Sequence, residues 1–301
     1  MGWFFMALMC AGILIVGSVV WFFLAIPDGH DLKGCITAQM YQVPLCPTDS
    51  SYVPLKQISP FMRNAVIVSE DAAFWDHKGL DWVELRKSFE TNLERGRMAR
   101  GGSTITQQLA KNVYLSSDKS LLRKVREAVI ALRIERLYDK NLILEKYLNV
   151  VEFDENIYGV KAAAQHYFGV SPNSLSIAQS AWLAFLLPNP KKYSISFHKS
   201  KLTPFAFKQM SEIINRLARF KRISEDQRTA AIREARAFFG GLSGESLELE
   251  EEFERGDDGD DSRGDDISLE RVIEERPTAP ASSDDAHESE SPDAASEPPT
   301  E

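Results

Sequence analysis

The sequence predicts a mostly α-helical domain that follows a membrane-spanning helix and precedes a disordered acidic tail. Apolar residues recur at helical spacing through the middle of the chain, no long stretch alternates as a strand would, and the composition changes sharply at both ends. We therefore divide the 301 residues into a transmembrane anchor (1–27), a juxtamembrane connector (28–53), one helical domain (54–240) and a tail (241–301).

The anchor prediction rests on residues 2–26, which contain no charged side chain, since about 20 apolar residues suffice to cross a bilayer. A cleavable signal is the alternative. The apolar run is long for a signal, it lacks a basic start, and no convincing small-x-small cleavage site precedes Pro27. No Lys or Arg precedes the span and Lys33 follows it, so charge does not decide its orientation.

The connector is rich in Pro, Gly and Asp, and it has room for one hairpin. Cys35 and Cys46 lie in it and would form a disulfide on an oxidising side of the membrane. Two reduced thiols fit the sequence equally well. The spacing does not resemble a zinc site.

Capping residues, prolines and glycines mark the helices of the domain. The predicted helices are one that Ser59 and Pro60 open and Glu70 ends, 82–94 capped by Asp81, one from Ser103 or Thr104 through Asn112, a long helix from Leu121 to Leu137, 142–151 capped by Asn141, one ending at Phe168 before Gly169, 177–187 capped by Ser176, 204 to about 222 after Thr203, and a last helix from the Ser224/Gln227 capping box to about Gly240. The long helix carries an apolar stripe that we expect in the core: Leu121, Leu122, Val125, Ala128, Val129, Leu132 and Leu137.

The charge is divided unevenly along the chain. Residues 241–301 hold 22 of the 44 acidic residues and 4 of the 35 Lys and Arg, so the body carries +9 although the whole chain carries −9. A basic body suggests an anionic partner, namely a phosphate-bearing ligand, an anionic membrane surface or nucleic acid. The tail consists mainly of Glu, Asp, Ser, Pro and Gly, which cannot bury enough apolar surface to order the chain.

The first candidate for chemistry is Glu70, at the end of an apolar helix and just before Phe74 and Trp75. A carboxylate at the edge of a core is desolvated on one side, which raises its pKa and suits a general base. The alternative is that Glu70 and Asp71 are solvated charges at a helix end.

Two more groups share this chemistry. The helix start that follows Gly102 offers hydroxyls, amides and a lysine, which together suit an anionic ligand. Taken by itself, the segment is equally well explained as an ordinary capped helix. Its candidates are Ser103, Thr104, Gln108, Lys111 and Asn112. Arg123, Lys124 and Glu127 share one helical face opposite the apolar stripe, and alone they are also an ordinary surface ion-pair ladder.

The order of these groups closely resembles the successive motifs of the family 51 glycosyltransferases, the peptidoglycan glycosyltransferases, over about residues 52–240. The matching segments are Glu70-Asp71-x-x-Phe74-x-x-His77-x-Gly79, Gly102-Ser103-Thr104-Ile105-Thr106-Gln107-Gln108-Leu109-x-Lys111-Asn112, Arg123-Lys124-x-x-Glu127, Lys140-x-x-Ile143-Leu144-Glu145-x-Tyr147-Leu148-Asn149 and Ala162-Ala163-Ala164-x-x-Tyr167-Phe168-Gly169.

The resemblance implies a lysozyme-like domain that polymerises lipid II into β-1,4 glycan strands with inversion and releases undecaprenyl pyrophosphate. In this family pattern Glu70 is the general base, while Lys111, Arg123 and Lys124 hold the pyrophosphate. Glu127 organises the donor side, with room for a divalent cation such as Mg²⁺ and no other cofactor. The basic loop 95–100 would lie against lipid head groups and close over substrate.

The implied place is the bacterial cytoplasmic membrane, with one span and the domain on the extracytoplasmic side. The implied partners are lipid II, the nascent glycan and membrane lipids, with proteins of cell-wall synthesis or division as further candidates and no nucleic acid. We expect a monofunctional enzyme without a transpeptidase domain, because no Lys-Thr-Gly signature follows the domain.

The sequence also departs from the family pattern. Val170 stands where a lysine is usual, Gln179-Ser180-Ala181 replaces Glu-Ala-Ala, and residues 153–156 replace a more glycine-rich segment. Two alternatives remain: a lysozyme-like enzyme that cleaves glycan with a carboxylic acid as proton donor, and a catalytically silent membrane scaffold whose acidic tail recruits basic partners.

Overall fold

The structure is a computed structural model that describes residues 2–94, 102–116 and 120–241. The basic loop 95–100 and almost all of the acidic tail lie outside the described residues. Within the described part, one helix is long and apolar enough to cross a membrane, Trp3–Leu24. This helix is the predicted anchor.

The fold class is mostly α, as predicted. The helices are α1 Gly2–Leu24, α2 Pro60–Glu70, α3 Trp82–Glu94, α4 Ile105–Tyr114, α5 Leu121–Leu137, α6 Lys140–Val150, α7 Gly159–Phe168, α8 Ile177–Leu186, α9 Pro190–Tyr193, α10 Ile195–His198, α11 Pro204–Arg219 and α12 Glu225–Arg236. A short antiparallel pair, β1 Glu152–Asp154 and β2 Ile157–Tyr158, stands between α6 and α7. Strands of three and two residues are too short to leave an alternating pattern in the sequence.

The helix starts agree with the capping residues in most cases. Thr104 with Gln107, Ser176 with Gln179 and Ser224 with Gln227 each form a capping box. Two predicted caps were wrong. Ser59 stands before α2, but its hydroxyl makes no capping bond and donates to the carbonyl of Leu175. α6 begins at Lys140, and Asp139 rather than Asn141 accepts the backbone N–H of Leu142. Asp139 takes this role because it stands one residue before the first helical position, where its carboxylate can accept that N–H.

Two groups of helices build the domain. Apolar α8 packs against α2, α11 and α12, with Trp182 fully buried at its centre. α4 packs against α5 and α6, and α6 against α7. The carboxyl end of α2 meets the amino end of α4 where the two groups join, and the candidate site lies at this meeting.

The connector is packed into the domain. Leu32, Ala38 and Leu45 are buried, and Cys35 and Cys46 form a disulfide across a short antiparallel bridge. The fully buried Lys146 of α6 donates to the carbonyls of Gly34 and Leu45 at 3.3 and 3.0 Å. The connector therefore forms one wall of the domain and is fixed from inside by a lysine.

The apolar stripe of α5 was wrongly assigned to the core. Leu121 and Leu122 are 87% and 64% exposed and Val125 is 46% exposed, whereas the buried face carries Glu127, Ile130, Ala131 and Ile134. Helical spacing groups residues on one face but does not say which face points inward. Here Glu127 points into the protein beside three apolar residues, and Leu121, Leu122 and Val125 point away from it.

Candidate active site

Glu70 is the last residue of α2, and its side chain is partly accessible at the junction with α4. Its Oε2 accepts a hydrogen bond of 2.7 Å from Nε2 of Gln108. Burial raises the pKa of Glu70 above its ordinary 4.5, against the opposing effects of the Gln108 hydrogen bond and the Lys111 charge. The raised pKa agrees with the expectation for a general base.

The residues around Glu70 are fixed by its neighbour Asp71. The buried Asp71 carboxylate accepts the backbone N–H of Ile105 at 2.9 Å and Nε2 of His77 at 2.9 Å. Gly79 donates its N–H to the other ring nitrogen of His77, so the proton of the neutral imidazole faces Asp71. A carboxylate at the amino end of α4 is also favoured by the helix dipole. Asp71 thereby ties the end of α2 to the start of α4.

The turn after α2 requires a glycine at position 79. Its φ is +94°, and a Cβ there would lie 3.1 Å from the carbonyl oxygen of Ala131 in α5. Its own carbonyl accepts the hydroxyl of Thr104 at 2.7 Å. The turn after α2 is thus clamped between α4 and α5.

Gln108 is oriented from the far side by Tyr147. The Tyr147 hydroxyl donates to Oε1 of Gln108 at 3.0 Å, which leaves the amide nitrogen facing Glu70. Tyr147 is fully buried on α6, so the line from Tyr147 to Gln108 to Glu70 spans three helices. Tyr147 was part of a sequence motif, but the motif gave no role to its hydroxyl.

The cationic cluster consists of Lys111, Arg123 and Lys124 around Glu127. Glu127 is 2% exposed and accepts from Lys124 and, at 3.4 Å, from Arg123. Lys124 also donates to Ser103 at 2.6 Å. Burial lowers the pKa of Lys111 below 10.5, while the charges of Glu127 and Glu70 oppose that shift. Lys111 lies one turn after Gln108 on α4, and Ser103 just before that helix contacts Lys124, so the α4 segment links Glu70 to the cations around Glu127.

Two predicted binding residues lie deeper than the others. Thr104 is buried, and its hydroxyl caps α4 and donates to Gly79. Asn112 is also buried, its backbone carbonyl accepts from Met40, and its Oδ1 has no hydrogen-bond partner in the described part of the chain. Their assignment to substrate stays a prediction, whereas Ser103, Gln108 and Lys111 are partly exposed at the site.

The residues present do not fit a divalent cation held by the protein. Both oxygens of Glu127 face cations, and the described ranges contain no group of three His, Cys, Asp or Glu that could hold a metal ion. The charge of an anionic ligand would therefore meet Lys and Arg at this site.

The departure at residues 153–156 forms the short β hairpin. Asn156 adopts φ +62° at its turn, and the buried Asp154 accepts from Tyr167 and Ser194, each at 2.9 Å. His198 approaches the same carboxylate at 2.9 Å. A cavity of about 410 Å³ opens here, and no predicted site residue lines it.

Taken together, a helical body behind an apolar span, a carboxylate suited to be a base and a neighbouring cationic cluster define a membrane-associated group-transfer enzyme. Comparison with known proteins then gives the family. The family model described as Transglycosylase matches residues 38–218, and this chain belongs to that family. The resemblance drawn from the motifs is thus confirmed.

Individual relatives agree with this family. The chain is 44% identical over 167 residues to the biosynthetic peptidoglycan transglycosylase of Nitrosospira multiformis, over 56% of this chain and 71% of that protein. It is 41% identical over 203 residues to the protein of the same name from an Azoarcus species, over 65% and 88%. Penicillin-binding protein 1A of Haemophilus influenzae is 25% identical, with a TM-score of 0.27 over 50% of this chain and 19% of that one.

Proposed function

We propose that this chain is a membrane-anchored peptidoglycan glycosyltransferase that polymerises lipid II into β-1,4 glycan strands. The family and the names of its relatives support the class of reaction. The observation that carries the proposal is that one segment contacts both groups: Gln108 of α4 donates to Glu70, and Ser103, just before α4, accepts from Lys124, which pairs with Glu127. The base and the cationic cluster are therefore neighbours along α4.

In the proposed step, Glu70 accepts the proton of the 4-hydroxyl of the incoming sugar. The oxygen forms a bond to C1 of the growing glycan while the bond from C1 to the undecaprenyl pyrophosphate breaks, and the bond electrons leave with the pyrophosphate. Lys111, Arg123 and Lys124 stabilise the negative charge that develops there. Glu70 then releases its proton to water.

Glu127 is proposed to hold Arg123 and Lys124 in place. Its side chain is buried between them, so neither cation needs to reorganise when the leaving group develops charge. Ser103 joins the same cluster through Lys124 and adds a hydroxyl for a phosphate oxygen. The cluster acts as a preformed diphosphate site.

Three features support a single-pass protein of the cytoplasmic membrane with its domain on the extracytoplasmic side. Trp3–Leu24 is long and apolar enough to span a bilayer. The exposed apolar stripe of α5 and exposed Trp82 and Phe89 of α3 suit contact with lipid. The disulfide between Cys35 and Cys46 directly follows the span, and disulfides persist in oxidising compartments.

The full chain in bilayer vesicles, supplied with labelled lipid II, tests the proposal. We expect labelled polymer to accumulate together with undecaprenyl pyrophosphate, and a muramidase to digest the polymer because its bonds are β-1,4. Finished, unlabelled glycan serves as the second substrate. Shortening of that glycan without polymer formation would instead identify a lytic enzyme, and no change in either substrate would favour a silent scaffold.

A further inference from the structure

The carboxyl end of the membrane-spanning helix contacts a different side of α5 from the one that carries the cationic cluster. Arg133 of α5 donates to the carbonyl oxygens of Ile26 and Pro27 at 2.5 and 3.0 Å through one nitrogen, and to that of Phe23 at 3.2 Å through the other. These bonds join residues more than 100 positions apart.

The chemistry of this contact is specific to a helix end. The last four carbonyls of a helix have no partner within the helix, and the helix dipole makes that end negative. Near hydrocarbon an unpaired carbonyl is costly, so a planar cation with several donors is well matched to the place. α1 ends at Leu24, so Arg133 satisfies one of its last four carbonyls, that of Phe23, and the carbonyls of Ile26 and Pro27 just beyond the helix.

Further contacts make the same junction stiff. Arg126, seven residues before Arg133 on α5, lies 5.1 Å from the ring centre of Phe22. Tyr138 donates to the carbonyls of Gly29 and His30 at 2.9 and 2.6 Å, and Ile26 is buried in the core. The span is therefore docked on the domain and is not joined to it by a loose linker.

We propose that Arg133 is a positioning residue that fixes the depth at which the active site meets its lipid-linked substrate. Lys124 and Glu127 lie nine and six residues before Arg133 on α5, which is about 14 and 9 Å along a helix that rises about 1.5 Å per residue. The cationic cluster is thus held within about 14 Å, measured along α5, of the residue that binds the end of the span. This inference rests on the proposed function.

The kinetic test compares Arg133→Gln with Arg136→Gln, the same change at an exposed position of the same helix. In bilayer vesicles with full-length lipid II, we expect Arg133→Gln to raise KM about tenfold with kcat unchanged, because charge-assisted hydrogen bonds are lost at the junction. With a short-chain lipid II dissolved in detergent, no bilayer sets the depth of the active site. Arg133→Gln should therefore match the wild type in that assay. Arg136→Gln should match it in both assays.

The physical test measures the junction itself and needs no turnover. Spin labels on the exposed Cys10 of the span and on Lys201→Cys of the body report the distance between them. We expect a narrow distance distribution that broadens when Arg133→Gln is added. An equally broad distribution with and without Arg133, or an equal loss of activity towards both substrates, would overturn the proposal. The spin labels report the distance even if the chain makes no polymer. Failure of the proposed function is therefore distinguished from failure of the Arg133 contact.

Discussion

Two carboxylates of one site, Glu70 and Glu127, have opposite surroundings. Glu70 receives a hydrogen bond from a neutral amide, stays partly accessible, and has a raised pKa. Glu127 is almost fully buried and has a cation on each oxygen. In the proposed mechanism the two glutamates therefore have different roles, since a weakly supported carboxylate can accept a proton and a strongly paired one can hold cations in place.

Replacing Glu70 should have the largest effect on turnover. In Glu70→Gln the acceptor hydroxyl has no base, so we expect the rate of lipid II polymerisation to fall by about 10²–10⁴-fold. Stability should be unchanged or slightly higher, because the carboxylate that burial disfavours is replaced by a neutral amide of the same shape. Polymer yield and denaturant unfolding of the same preparation measure the two effects. Asp76→Asn, an exposed acid in the same segment, is the control, and normal turnover in Glu70→Gln would remove Glu70 from the mechanism.

Replacing Glu127 should instead cost stability as well as turnover. Glu127→Gln leaves Arg123 and Lys124 without their buried partner. Because the Lys124 side chain is 47% exposed, we expect a cost of about 1.5–3 kcal/mol of unfolding free energy, the range for hydrogen bonds to charged groups. Denaturant unfolding in detergent measures the loss. Glu90→Gln breaks the exposed Arg86–Glu90 pair of α3 and should cost less than about 1 kcal/mol.

If Glu127→Gln is as stable as Glu90→Gln, the buried pairing of Glu127 does not contribute to stability, and the proposed difference between Glu127 and Glu70 is contradicted. A double-mutant cycle with Lys124→Met isolates the contribution of the Lys124 pair, and a coupling energy near zero would show that the two side chains do not depend on each other.

The dependence of kcat/KM on pH should report the shifted pKa values of Glu70 and Lys111. Burial raises the pKa of Glu70, so the acid limb should lie above the ordinary 4.5 of a glutamate, and burial lowers the pKa of Lys111, so the alkaline limb should lie below 10.5. Lys111→Met removes a charge that lowers the pKa of Glu70, and the acid limb should therefore move to higher pH. An acid limb that stays in place would show that Lys111 does not act on Glu70.

The raised pKa of Glu70 should also make the free energy of unfolding depend on pH. The pKa of Glu70 is higher in the folded than in the unfolded chain, so its contribution to stability is complete below the unfolded value and is lost as pH rises through the folded value. The difference in unfolding free energy between wild type and Glu70→Gln should therefore grow across that window. A difference independent of pH would contradict the raised pKa.

The smallest effect is expected at Tyr147. Tyr147→Phe removes the hydrogen bond that orients Gln108, worth about 1 kcal/mol, so we expect a loss of about fivefold in kcat/KM. The acid limb should also move to higher pH, because the Gln108 hydrogen bond lowers the pKa of Glu70. Tyr52→Phe, which removes a hydrogen bond to Glu145, should cost comparable stability and leave kcat/KM unchanged.

The helices and the site were predictable to different extents. Caps such as Thr104 and Ser176 act within one turn, so local sequence predicted the helices they start. The candidate site residues were proposed because several motifs occurred in order, and their roles stay predictions. The buried face of α5, the Tyr147 hydrogen bond and the Arg133 contacts could not be predicted, because each depends on residues far apart in sequence that meet only after packing.

The outward-facing stripe of α5 also has a consequence for handling the protein. Leu121, Leu122 and Val125 remain uncovered whether or not the first 24 residues are present. Proteolytic removal of the anchor should therefore leave a fragment that still partitions into surfactant micelles and elutes from a sizing column with bound amphiphile. Trimming the amino terminus alone would not yield a freely water-soluble enzyme for crystallisation, whereas polar substitutions along that stripe would bring it closer.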